Sequence, residues 1–140
     1  MNILIDSCIW YALLDKSDPN YSRAQTMKDY FDIGNIVMVY PVLYETLNTR
    51  FVKRNDWVNI FNQYVQKNTT VLLHDEKYKH NALEKTIESA MGINRPMSMV
   101  DMCIRMILDD VNIKIDALIT FNIGDFIDVC HNKGIELISQ

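Results

Sequence analysis

The chain lacks paired cysteines, an excess of basic charge and any long apolar run. Cys8, Cys103 and Cys130 are odd in number, and none stands near another Cys or a His at zinc-site spacing. They are expected to be small, buried core thiols in a reducing compartment. Lys and Arg number 14 against 18 Asp and Glu, for a net charge of -4. That balance excludes capture of a nucleic acid by a strongly basic surface, because counterion release needs clustered cations. It fits a site that concentrates carboxylates. The longest apolar stretches, such as residues 36–39 and 117–120, are far shorter than a membrane span, so no membrane partner is expected. The N-terminus has no basic leader and no small-residue cleavage site, from which Met1 is expected to begin the mature protein, in the cytoplasm. His74, His80 and His131 form no evident Ser-His-Asp or Cys-His set.

What is present is the composition of a globular domain: 49% hydrophobic and 23% charged residues over 140 positions. That length closes one core without staples, so a single domain over 1–140 is expected. Residues 3–5, 36–40, 69–73, 117–120 and 135–138 are short apolar or β-branched runs and predict strands. Helices are predicted over 8–14, over 18–32 from the start signal Asp18-Pro19, over 42–54, over 57–65 after a break at Asn55-Asp56, and over 75–91 with Gly92 as its stop. Further helices are predicted over 98–110 and 124–131. Strands alternating with helices predict an α/β fold in three layers. Its central, mostly parallel sheet of four to five strands carries helices on both faces, joined by right-handed crossovers.

In such a sheet the ligand site lies beyond the carboxyl ends of the strands. Asp6 ends the first strand, Asn122 and Asp125 follow the fourth, Glu45 opens the helix after Pro41, and Asp101 opens the helix after Pro96. Each also has a simpler role. Asp6 or Ser7 suits a helix N-cap, Glu45 a solvated helix start, and Ser98-Met-Val-Asp101 a capping box with Arg105 one turn on. Asn122 and Asp125 are acceptable helix-start residues. Their coincidence weakens the simpler roles, because carboxylates gathered at one edge repel one another unless a cation compensates. Oxygen donors without Cys or His suit Mg²⁺ or Mn²⁺.

The ordered set resembles a PIN domain, the metal-dependent ribonuclease fold of VapC-type toxins. The resemblance rests on Ile-Leu-Ile-Asp6-Ser, Pro-Val-Leu-Tyr-Glu45, Ser-Met-Val-Asp101 and Leu-Ile-Thr-Phe-Asn122-Ile-Gly-Asp125-Phe, and it spans the chain. It implies a ribonuclease that hydrolyses phosphodiester bonds, the toxin of a toxin-antitoxin pair. Asp6, Glu45, Asp101 and Asp125 would be its catalytic acids. Metal would sit on these acids and on Asn122, which stands where many relatives carry Asp and brings one negative charge fewer. Ser7 and Thr120 match small hydroxyl positions beside the site, in supporting roles. The partners implied are an RNA substrate, a cognate antitoxin that reaches into the active site, and a second copy in a homodimer.

Arg50, Lys53 and Arg54, downstream of Glu45 on the same predicted helix, form the densest basic segment and are the candidates for RNA phosphates. Complementing a helix C-terminus is the simpler role for them. The competing function is a non-catalytic module of the same fold that binds RNA or a protein partner, and Asn122 keeps it open. An aspartyl phosphohydrolase is disfavoured because Cys8 stands two residues beyond Asp6 where a second Asp is wanted, and a receiver because no acidic pair at the first strand and no mid-chain phosphoacceptor Asp after a strand is visible.

Overall fold

The computed structural model describes residues 1–92 and 95–140. Its elements run β1 (Asn2–Ile5), α1 (Ser7–Leu14), α2 (Tyr21–Gln25), α3 (Lys28–Ile33), β2 (Asn35–Val39), α4 (Tyr40–Thr46), α5 (Thr49–Val52), α6 (Asn55–Val65), β3 (Val71–Leu73), α7 (Lys79–Met91), α8 (Met99–Asp109), β4 (Ala117–Ile119), α9 (Ile123–Lys133) and β5 (Glu136–Ile138). The five strands form one sheet in the order β3-β2-β1-β4-β5, and every pairing is parallel.

The strands are short apolar runs because both faces of the sheet are covered. Ile3, Leu4 and Ile5 of β1, Ile36 to Val39 of β2 and all of β4 are buried, whereas Val71 and Leu72 of the edge strand β3 are exposed. Right-handed crossovers from β1 through β2 to β3 place α1 to α6 on one face. The return from β3 to β4 and on to β5 places α7 to α9 on the other. Trp10, Phe31, Phe61 and Tyr64 pack their rings edge-on or tilted, at centroid distances of 4.8 to 5.6 Å, to fill the first of these faces. Trp10 is therefore core.

Helix boundaries differ from expectation at four places, one of them the break expected at Asn55-Asp56, where the chain instead forms the first turn of α6 with Asp56 at its positive end. The helix expected over 18–32 is two, because Thr26 turns its hydroxyl back to the Arg23 carbonyl (2.7 Å) and α2 stops there. Asp18 makes a turn instead of a cap, accepting the Asn20 N–H at 2.8 Å. The helix expected over 42–54 is also two: Leu47 closes α4, and Asn48 caps α5 by accepting the Phe51 N–H at 3.1 Å. Arg50 is thus on a different helix from Glu45, and Lys53 and Arg54 lie past its end. The helix expected to begin at residue 75 begins at Lys79 and stops at Gly92 as expected. Gly134 ends α9 with φ 68, the left-handed conformation that only glycine adopts cheaply. Among the described residues no helix is long and apolar enough to cross a membrane.

Candidate functional site

The chain order reverses at β1, which has β2 on one side and β4 on the other. The crevice of a parallel sheet opens at such a point, and Asp6 stands at its floor. The Asp6 N–H continues the ladder to the Ile119 carbonyl at 3.0 Å, which sets its side chain beside Thr120 at the end of β4. One carboxylate oxygen accepts the Ser7 N–H at 2.8 Å, so Asp6 is also the N-cap of α1. The other accepts the Thr120 hydroxyl at 2.8 Å and the Cys8 thiol at 3.6 Å. The cap and the gathering of acids therefore coexist at one residue. Asp6 is only 2% exposed. Burial raises its pKa, the Thr120 and Ser7 hydrogen bonds pull it back, and the charge of Glu45 raises it further.

Glu45 lies in the second turn of α4, exposed, and its Oε1 accepts the Ser7 hydroxyl at 2.6 Å. Asp101 lies in the first turn of α8, whose N-cap Ser98 accepts the Asp101 N–H at 3.1 Å. That is half of a capping box. Burial, followed by the charges of Asp6 and Asp125 and, more weakly, of Glu45, pushes the Asp101 carboxyl up to about 6. Asp101 thus feels the charges of the other three acids. Arg105 does not pair with Asp101: its guanidinium forks onto Asp128 at 2.6 and 2.8 Å and donates to the Asp125 carbonyl at 2.7 Å.

At the end of β4, Thr120 also accepts the Asn122 N–H at 3.0 Å, tightening the turn into α9. Asn122 occupies the N-cap position without a side-chain cap bond. Asp125, in the first turn, points its Oδ1 at Arg95 Nη2 across 2.6 Å. Sequence reasoning missed Arg95. Its only local signal is a cation immediately before Pro96, on the segment that feeds the Asp101 helix.

Cys8 departs from the expected core role. It is half-buried and faces the site, with burial and the Asp6 charge pushing its thiol up to about 12, so it stays protonated. Cys103 and Cys130 are buried. The basic segment is largely engaged elsewhere. Arg50 pairs with Asp15 at 2.7 Å and lies over the Tyr11 and Trp57 rings, while Arg54 pairs with Asp56 at 3.2 Å and covers Trp57 at 4.4 Å.

The donor set at this edge is all oxygen, which suits a hard cation. In this geometry no three His, Cys, Asp or Glu side chains are grouped closely enough to hold a metal ion, among the described residues. Two of the acids are committed to other partners, Glu45 to Ser7 and Asp125 to Arg95.

No family model and no curated protein matches the chain. Solved structures do. The chain is similar to VapC20 of Mycobacterium tuberculosis, a sarcin-ricin loop cleaving toxin, with a TM-score of 0.66 and 16% identity over 90% of this chain and 94% of that one. It is also similar to a chain of VapBC2 from Rickettsia felis, solved bound to a DNA fragment from their promoter, with a TM-score of 0.60 and 14% identity over 100% and 99% of the two chains. The α/β sandwich built from these residues is therefore the fold of the VapC toxins.

Proposed function

We propose that the chain is a Mg²⁺- or Mn²⁺-dependent ribonuclease, a cytoplasmic toxin that acts as a homodimer and is held in check by a cognate antitoxin. The observation that carries the proposal is a carboxylate, Asp6, buried at the switch point at the end of β1, and the Asp101 carboxyl, pushed up to about 6 by burial and by its acidic neighbours, agrees with it. An arrangement that penalises its own charge is stabilised by a cation. Support comes from the likeness to VapC20, a toxin whose described act is cleavage of a sarcin-ricin loop.

Asp6, Glu45 and Asp101 would hold the cation by drawing closer than they stand here, with Glu45 leaving the Ser7 hydroxyl and the Asn122 carbonyl as a neutral fourth donor. When bound, it supplies Lewis acidity and offsets the charge that builds up on a phosphodiester during in-line displacement. The protein's own groups do the rest. Thr120 and Ser7 fix the two oxygens of Asp6, so that carboxylate cannot turn away. Ser7 also restrains Glu45, whose exposed carboxyl would take a proton from the attacking water. A neutral Asn122 lowers the total charge and favours one cation over two.

The test is cleavage of a mixed RNA pool that includes a sarcin-ricin loop, with Mg²⁺, Mn²⁺ or EDTA. Cleavage that needs the cation and disappears in Asp101→Asn is expected. Equal cleavage by both proteins, or cleavage unaffected by EDTA, would exclude the site. The non-catalytic module is favoured by one observation, the ion pair that already occupies Asp125. It predicts RNA binding without cleavage under every condition.

A further inference from the structure

We infer that Arg95 is a clamp for a phosphate of the RNA strand and that Asp125 is the residue that positions it. The inference rests on the ribonuclease proposal and assigns Asp125 to the arginine instead of the cation. The Asp125 side chain is 12% exposed and anchored in the first turn of α9, whereas Arg95 is 64% exposed and brings Nη2 to 2.6 Å from it. A guanidinium carries five N–H donors in a flat fork. Nη2 faces Asp125, and the side chain as a whole is largely open to solvent.

The approach is built into the backbone. A Cβ on Gly124 would stand 3.0 Å from Arg95 Nη1, so the glycine leaves room for the guanidinium against the start of α9. Behind it a cleft of about 480 Å³ opens between α7, α8 and α9, bordered by Lys85, Met97 and Met102. Arg95 lines this cleft and at the same time touches Asp125, so it stands between the cleft and the acidic edge. Arg105 on the same border is already forked onto Asp128, and the remaining charged groups of the lining are Arg95, Lys85 and the acid Glu88, of which Arg95 alone touches an acid of the site.

The electrostatics require such a group. RNA brings negative charge to an edge that already holds the carboxylates of Asp6, Glu45 and Asp101, and the chain as a whole carries a net charge of -4. A cation tethered at the border lowers that barrier locally. Arginine suits the task better than lysine, because its planar fork meets two phosphate oxygens at once and its orientation is set beforehand by Asp125.

The experiment measures binding of a dye-labelled single-stranded RNA by anisotropy, with Mg²⁺ present and cleavage blocked by Asp101→Asn, over a series of salt concentrations. Adding Arg95→Ala should weaken binding about tenfold and flatten the slope of log K against log salt by about 0.7, the value for one phosphate contact on a single strand. Asp125→Asn should weaken binding less and keep the slope, because the cation remains but loses its orientation. Arg95→Lys keeps the charge and covers the case in which the alanine variant unfolds. A retained slope with weaker binding supports the clamp, and unchanged affinity overturns it. Unchanged affinity and slope in a folded Arg95→Ala also overturn it, with the ribonuclease proposal intact. Failure of the unsubstituted chain either to bind or to cleave RNA overturns both.

Discussion

Ser7 donates its hydroxyl proton to Glu45 at 2.6 Å and so ties the first turn of α1 to the second turn of α4. The same residue gives its backbone N–H to Asp6, so one short side chain sets the relation between two acids that come from different crossovers. Ser7→Ala keeps the cap and removes only the link. The expected result is a loss of about 1 kcal/mol in stability, since Glu45 is exposed and regains water. The affinity for Mn²⁺, read by calorimetry, should fall about tenfold, as for other groups that orient a metal-holding carboxylate. Unchanged Mn²⁺ affinity would show that Glu45 does not touch the cation.

The raised acids give the fold a pH dependence of definite sign. Asp101 is pushed from 3.8 to about 6 by burial and by neighbouring carboxylates, and Asp6 moves the same way. Between those values the folded chain holds more protons than the unfolded one, so stability falls as pH rises from about 4 to 6 and then levels. Below that window the order reverses. Asp128, held down to about 2 by the Arg105 fork, contributes stability that is lost on acidification. A dry site would make the Asp101 penalty ~3 kcal/mol, but solvent reaches this half-buried group, and about 1 kcal/mol is expected. Without divalent cations, Asp101→Asn should raise the melting temperature at pH 7 and remove much of the slope between pH 4 and 7. Mg²⁺ should raise it for the unsubstituted chain and not for the variant. A melting temperature that ignores both pH and Mg²⁺ would remove the electrostatic basis of the site.

These features were unequally legible in the sequence. Strands buried on both faces announce themselves as apolar runs, so Asp6, Asn122 and Asp125 could be assigned to one edge from the ends of such runs, and Glu45 and Asp101 from the helix starts after Pro41 and Pro96. The parallel order follows from the alternation of elements. The helix breaks at Thr26 and Asn48 were hidden because the apolar spacing continues across them through Met27 and Phe51, both buried. Only a side chain turned onto its own backbone ends the helix there. Arg95 and Cys8 were hidden for another reason. Their roles depend on contacts with Asp125 and with Asp6 and Thr120, and for Arg95 and Thr120 the sequence separation is too large for any local pattern to show.

The Arg50 cluster separates a structural cation from an RNA-binding one. Arg50 spans from α5 to Asp15 and covers two aromatic rings, so Arg50→Ala should lower the melting temperature through lost packing as well as lost charge. If the ion pair is its main task, the salt slope of RNA binding measured as for Arg95 should stay unchanged. A slope flattened by about 0.7 would return the segment to the RNA path.

Two threonines that are both wholly buried should respond in opposite ways to the same substitution. Thr120 donates to Asp6 at 2.8 Å and accepts the Asn122 N–H at 3.0 Å, so its hydroxyl is fully used. Thr46, one residue past Glu45, has a buried hydroxyl with no hydrogen-bond partner among the described residues. Replacement by Val keeps the branched shape in each case and removes only the oxygen. At Thr120 this strips a donor from a buried carboxylate and leaves the turn into α9 without its acceptor, which should cost about 2–3 kcal/mol. At Thr46 it removes a desolvated group that makes no bond, so stability should hold or rise by about 1 kcal/mol. Denaturant midpoints at unchanged m-value measure both. The contrast also bears on the site, because Thr120→Val should push the Asp6 pKa further up and weaken its hold on a cation, while Thr46→Val should leave cation affinity as it is. Equal losses in the two variants would mean that the Thr120 hydroxyl contributes packing and not electrostatics to Asp6.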